Sequence, residues 1–101
     1  MLILDLQEVT RRIRSREQDI RGYGAAALFL YGSTRHGRAG PDSDVDIFID
    51  RDPERPFGFM QFTGLEQYLS GLLETEVDLS TRTALHPMLR STIEHDAIRI
   101  L

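Results

Sequence analysis

Two short clusters carry the chemistry in this sequence: Gly32-Ser33 and, after ten residues, Asp44-Val45-Asp46. A Gly-Ser turn that abruptly closes an apolar run leaves backbone N–H groups without intrachain partners. Their partial positive charge suits a phosphate, all the more if a short helix starts at Ser33. Gly32 has no side chain to hold such a ligand off. In Asp44-Val45-Asp46-Ile47-Phe48-Ile49-Asp50, polar and apolar positions alternate with the period of a strand. Asp44 and Asp46 then share one face, and Val45, Ile47 and Ile49 share the other. Residues two apart on a strand lie about 6.6 to 6.8 Å apart at Cα, near enough for both carboxylates to converge on one metal centre. Two bare carboxylates repel each other. A hard divalent cation such as Mg²⁺ removes the repulsion and keeps coordination places for triphosphate oxygens and water. An isolated Asp-x-Asp is commonly a solvated strand face, but these aspartates open a strand that is otherwise strongly apolar, where a structural role would favour threonine or valine. Together the clusters point to metal-assisted chemistry on a nucleotide.

The elements that must position these groups follow from periodicity. Ala25 to Tyr31 is an apolar run of strand length that Gly32-Ser33 ends, with the first strand covering about Ala26 to Tyr31 and the second about Asp44 to Asp50. Before them, Asp5-Leu6-Gln7-Glu8 reads as a capping box, and Leu6, Val9, Ile13 and Ile20 recur at helical spacing until Gly22 and Gly24. Arg11, Arg12, Arg14, Arg16 and Arg21 on this helix read as a solvated face rather than an RNA or partner surface. Asp52 to Pro56 is an exposed loop. Met60, Phe62, Leu65, Leu69 and Leu72 mark an amphipathic helix whose aromatics belong to the core. Glu76 to Ser80 alternates again, with Val77 and Leu79 on one face and Asp78 on the other. Leu85, Leu89 and Ile93 define a last helix with Pro87 near its start, and Ala97 to Leu101 fits either an edge strand or a helix tail.

A helix between the second and third strands favours a parallel or mixed sheet covered by helices, an α/β (α+β) fold with a small mixed sheet. Placed on a strand beside Asp46, Asp78 would complete three carboxylates. That is enough to hold two metal ions and leave one oxygen for an incoming hydroxyl.

The 101 residues support one small domain, with 41% hydrophobic and 28% charged residues and no repeat or low-complexity tract. Cysteine is absent, which excludes disulfides, thiolate metal sites and thiol nucleophiles and fits a reducing, cytoplasmic setting. No stretch approaches a membrane span, and the amino terminus lacks the apolar core of a signal peptide. All 12 basic residues are arginine. A lysine Schiff base and a P-loop lysine are thereby excluded, so phosphate must be met by backbone, hydroxyl, arginine or metal. The net charge of −4 argues against broad binding to nucleic acid.

Tyr31-Gly32-Ser33, ten residues, Asp44-Val45-Asp46 and a later strand aspartate, Asp78, together resemble the polymerase-beta-like nucleotidyltransferases, and the resemblance spans nearly the whole chain. In length the chain is similar to the minimal nucleotidyltransferases, the MNT antitoxins encoded beside HEPN-domain toxins, so that residues 1–101 form one such domain. The resemblance implies that Asp44, Asp46 and Asp78 bind two Mg²⁺ ions and that Gly32 and Ser33, with Thr34 and Arg35, hold the triphosphate of ATP. It also implies that Asp78 helps deprotonate the acceptor. Transfer of AMP to a tyrosine of a cognate HEPN toxin, in a hetero-oligomer, is the activity it implies. The chain departs from the family pattern after Ser33: Arg35 stands at the usual small position and His36 at the usual arginine, while Gly37 is retained. His36 fits a phosphate neighbour or a surface residue equally, and His86 and His95 read as structural.

Two other functions fit the same residues. A non-catalytic antitoxin could neutralise its toxin by contact, as the altered loop would allow. A small-molecule nucleotidyltransferase would ordinarily need a further domain to shape its acceptor site.

Overall fold

The computed structural model describes residues 5–32 and 45–101. Asp5 caps the first helix, its side chain accepting from the Glu8 N–H at 2.8 Å. Only half of the expected capping box forms, because the Glu8 carboxylate binds Arg11 and Arg12 instead. The apolar periodicity from Leu6 to Ile20 is real, but one continuous helix is not. The chain breaks at Arg16 (φ −121°, ψ 28°) into α1 (Leu6–Ser15), which buries Val9 and Ile13, and α2 (Glu17–Gly22), which buries Ile20.

β1 (Ala25–Tyr31) pairs antiparallel with β2 (Val45–Arg51). The chain then enters α3 (Phe59–Leu73), where the Gln61 side chain accepts from the Gly58 N–H at 2.8 Å. The helix ends where Glu74 turns left-handed (φ 55°). That return brings β3 (Val77–Thr81) alongside β2 in parallel. A single 3₁₀ turn (Arg82–Ala84) leads to α4 (Pro87–Asp96), with Pro87 in its first turn, and β4 (Ile98–Arg99) pairs antiparallel with β1. Between the two open readings of residues 97–101, the strand is therefore the one formed. The sheet order is β3-β2-β1-β4, with one parallel and two antiparallel ladders. This is the mixed sheet with helices that the sequence suggests.

One sheet face carries the core. Leu28, Leu30, Val45, Ile47, Ile49, Val77 and Leu79 meet Val9, Ile13, Ile20, Leu65, Leu69 and Leu73. The inner stripe of α3 thus reads Leu65, Leu69, Leu73, and Met60 is 78% exposed rather than core. Leu89 is likewise 55% exposed, and the buried Leu85 precedes α4. The arginine face also departs from expectation. Arg12 donates to the Leu72 carbonyl and to Glu74, Arg14 to the Ile100 carbonyl, and Arg21 to the Ala26 carbonyl. These three residues brace α1 and α2 against the chain around them instead of merely solvating a face.

Candidate active site

The opposite sheet face carries the chemistry. Cross-strand register places Tyr31, Asp46 and Asp78 in one row across β1, β2 and β3, and Phe29, Phe48 and Ser80 in the next. Asp46 and Asp78 are held there by what alternates with them. Val45 and Ile47 flank the one, Val77 and Leu79 flank the other, and all four are buried on the core side. The strand period therefore turns both carboxylates to the same open face. Asp46 is partly buried and Asp78 is exposed on the edge strand.

Gly32 closes the row from the end of β1. Its φ of +70° lies in the left-handed region that side chains disfavour, and a Cβ there would stand 2.5 Å from Asp46 Oδ2. The glycine thus brings bare backbone against a carboxylate. Asp46 and Asp78, two carboxylates on one rung, offer the oxygen donors that a hard divalent cation takes.

Tyr31 lies beside this pair. Its ring packs on Phe48 at 5.8 Å between centroids. Burial, chiefly, and then the charges of Asp46 and Asp78 push the phenol above its ordinary value of 10, against a smaller opposing influence of Ser80. Tyr31 therefore stays protonated at neutral pH. Behind it, Phe48 stacks on Phe29 at 4.7 Å, and the Arg82 guanidinium lies over both rings at 5.0 and 4.8 Å. Arg82 grips Asp50 with two nitrogens, at 2.7 and 2.9 Å, and Glu94 of α4 at 2.6 Å. Both carboxylates raise its already high pKa.

Of the residues singled out from sequence, Gly32, Asp46 and Asp78 come together. Ser33, Thr34, Arg35 and Asp44, with His36 and Gly37, lie outside the described residues, and among the described residues no group of three or more metal-ligating side chains is assembled. His86 acts as the cap of α4, accepting from the Met88 N–H at 3.2 Å. Sequence reasoning missed the partnership of Arg82 with Asp50 and Glu94. A signal for part of it existed: the period of two that selects Asp46 and Asp78 runs on through Phe48 to Asp50, and through Ser80 to Arg82.

The nucleotidyltransferase domain family matches residues 6–100. The protein adenylyltransferase MntA of Thermococcus cleftensis is 31% identical over 101 residues, covering 99% of this chain and 100% of that one. A solved structure described as a candidate minimal nucleotidyltransferase superposes with a TM-score of 0.80 at 28% identity, covering 94% of this chain and 95% of the other. A chain from the Shewanella oneidensis complex of a tri-AMPylated HEPN toxin with its MNT antitoxin shares the fold, with a TM-score of 0.66 at 18% identity over 95% of this chain and 71% of that one. Fold and family match thus define an enzyme of nucleotidyl transfer. This chain belongs to the nucleotidyltransferase domain family, and its likeness is to the minimal members.

Proposed function

We propose that this chain transfers AMP from ATP to a protein hydroxyl, the acceptor being a tyrosine of a cognate HEPN toxin that the transfer silences. The observation that carries the reading is the shared rung of Asp46 and Asp78 beside the positive-φ Gly32. Relatives of matching length named as protein adenylyltransferases support a protein as acceptor, and a fold shared with a chain of an AMPylated HEPN toxin–antitoxin complex accords with it.

In this reading Asp44, Asp46 and Asp78 hold two Mg²⁺ ions, and Gly32 and Ser33, with Thr34 and Arg35, receive the triphosphate. Mg²⁺, when bound, supplies positive charge that offsets the carboxylates and the charge building on the phosphate oxygens. Asp78, exposed on the edge strand, accepts the proton of the incoming hydroxyl. The acceptor oxygen forms a bond to the α-phosphorus, the bond from that phosphorus to its bridging oxygen breaks, and pyrophosphate leaves. Tyr31 keeps its own proton and does not compete for that role.

Neutralisation by contact alone is the second reading, motivated by the 86% exposed Met88 and 55% exposed Leu89 on α4. One experiment separates the two. The chain, Asp46→Asn and Asp78→Asn are each incubated with Mg²⁺, α-labelled ATP and the protein encoded by the neighbouring reading frame. Label on that protein from the wild type only, with toxicity relieved only by the wild type, is the result expected. Relief of toxicity by both variants without label would replace catalysis with contact.

A further inference from the structure

The candidate site runs in one direction across the sheet. Gly32 follows β1, Asp46 lies on β2 and Asp78 on β3, which is the outermost strand on that side among the described residues. Beyond β3 a cleft of about 430 Å³ opens between that strand and α3. Glu66, Gln67 and Ser70 of α3 line one wall, and Glu76, Val77 and Asp78 line the other. Residues three and four apart on a helix share a face, which is why Glu66, Gln67 and Ser70 look together toward the strand. Ser70 Oγ accepts from the Val77 N–H at 3.2 Å, and this bond ties the two walls together. Asp78 belongs to both places: it shares a rung with Asp46 and it borders the cleft.

The charge in the cleft is one-sided. Three carboxylates line it, and none of the six lining residues is cationic. Neither Glu66 nor Glu76 has an ion-pair partner among the described residues, whereas Glu8, Glu17, Glu74 and Glu94 each hold an arginine. Unpaired carboxylates around a concavity attract a cationic occupant and repel a triphosphate. They do not converge on a single ion, since among the described residues no group of three or more metal-ligating side chains is assembled. The occupant that suits them carries its positive charge spread over several side chains. Direction supports the same conclusion. An in-line displacement needs its entering oxygen opposite the leaving pyrophosphate. In the proposed reaction the triphosphate lies at the Gly32 end of the row, so the acceptor comes from the β3 end, where the cleft is.

We propose that this cleft receives a positively charged segment of the acceptor protein, Glu66 and Glu76 holding its basic side chains while its hydroxyl reaches Asp78. The proposal rests on the reading of this chain as a protein adenylyltransferase and adds how it selects its acceptor. Glu66 and Glu76 touch neither nucleotide nor metal in this scheme. They set specificity.

The test compares wild type with Glu66→Gln, Glu76→Gln and the double variant in AMP transfer to the protein encoded by the neighbouring reading frame. Glu54→Gln, in the exposed loop before α3, controls for net charge. The KM for the acceptor should rise about two- to fivefold in each single variant, and by the product of the two factors in the double. Added salt should weaken wild type toward the double variant, while kcat, the KM for ATP and the behaviour of Glu54→Gln stay as in wild type. A second readout needs no transfer: fluorescence anisotropy of a labelled peptide with one tyrosine between arginines, and of its counterpart with glutamates, titrated with each full chain. The arginine peptide should bind wild type and lose affinity in the variants by the same factors, and the glutamate peptide should not bind. Acceptor KM and arginine-peptide binding both unchanged in the double variant would leave the carboxylates as guards of an exposed strand edge and overturn the inference. Transfer absent for every acceptor, with arginine-peptide binding still weakened by the substitutions, would sink the proposed reaction and uphold the preference of the cleft. An arginine peptide that binds wild type no better than the glutamate peptide, with no transfer to any acceptor, would overturn both.

Discussion

Asp46 and Asp78 occupy one rung of the parallel β2–β3 ladder, on the face away from the core. Like charges directly opposite destabilise a sheet, so this rung is a cost in the metal-free chain. Asp78→Asn should raise metal-free stability by about 0.2–1 kcal/mol, read as a higher urea midpoint in chelator. Asp46→Asn and Asp78→Asn should each lose AMP transfer by at least about a hundredfold, and saturating Mg²⁺ should stabilise wild type more than either of them. Equal Mg²⁺ stabilisation of all three would remove the pair from cation binding.

Gly32→Ala should damage the site in two ways. The left-handed backbone at this position costs a side chain about 1 kcal/mol, and the new methyl would displace the Asp46 carboxylate it meets at 2.5 Å. We expect a modest drop in thermal midpoint and a loss of transfer far larger than that drop explains. Gly71→Ala is the control, since a Cβ there meets nothing within 4 Å, and it should leave transfer intact.

Arg82 serves Asp50, Glu94 and the stacked Phe29 and Phe48 at once. Arg82→Ala should destabilise the fold by roughly 1–3 kcal/mol, through lost charged hydrogen bonds and lost contact with the rings. Arg82→Lys should recover little, because a single ammonium cannot grip both oxygens of Asp50 while reaching Glu94. Chemical denaturation of the three proteins decides this, and near-complete recovery by lysine would refute the fork geometry.

Acid sensitivity should reside partly in Glu8. Hydrogen bonds from Arg11 and then Arg12, with their charges adding, lower its carboxyl from 4.5 to about 2. A depressed folded-state value means that its stabilisation is complete above the unfolded value and is lost as pH falls toward the folded one. The difference in urea midpoint between wild type and Glu8→Gln should thus be constant above pH 5 and shrink between about pH 4.5 and 2. A difference that stays flat across that window would show the ion pairs to be inert.

How much could be read from residues alone depended on the range of the interaction. Asp46 and Asp78 were legible because a period of two, set by Val45, Ile47, Val77 and Leu79, decides strand faces locally. The parallel ladder between them followed from the helix in the connection. Arg12, Arg14 and Arg21 were misread as solvent-facing because their carbonyl partners in two cases lie 60 and 86 residues away. Nothing in helical spacing marks such bonds. Met60 and Leu89 fit an apolar stripe by spacing, yet each stands near a helix start, where the neighbouring layer does not reach. The Arg16 break escaped notice because the apolar residues on either side keep their phase.

The alternation around residue 78 has a consequence for how this protein can vary. Shifting the β3 frame by a single position would bury the aspartate among aliphatic side chains and expose Val77 and Leu79 to water, so the altered chain would forfeit its core before its chemistry could drift. Deletions inside that strand should therefore be lethal to folding, whereas length changes are better absorbed in the turn at Glu74 and Thr75. The reactive group is insured by the greasy neighbours that never touch a substrate.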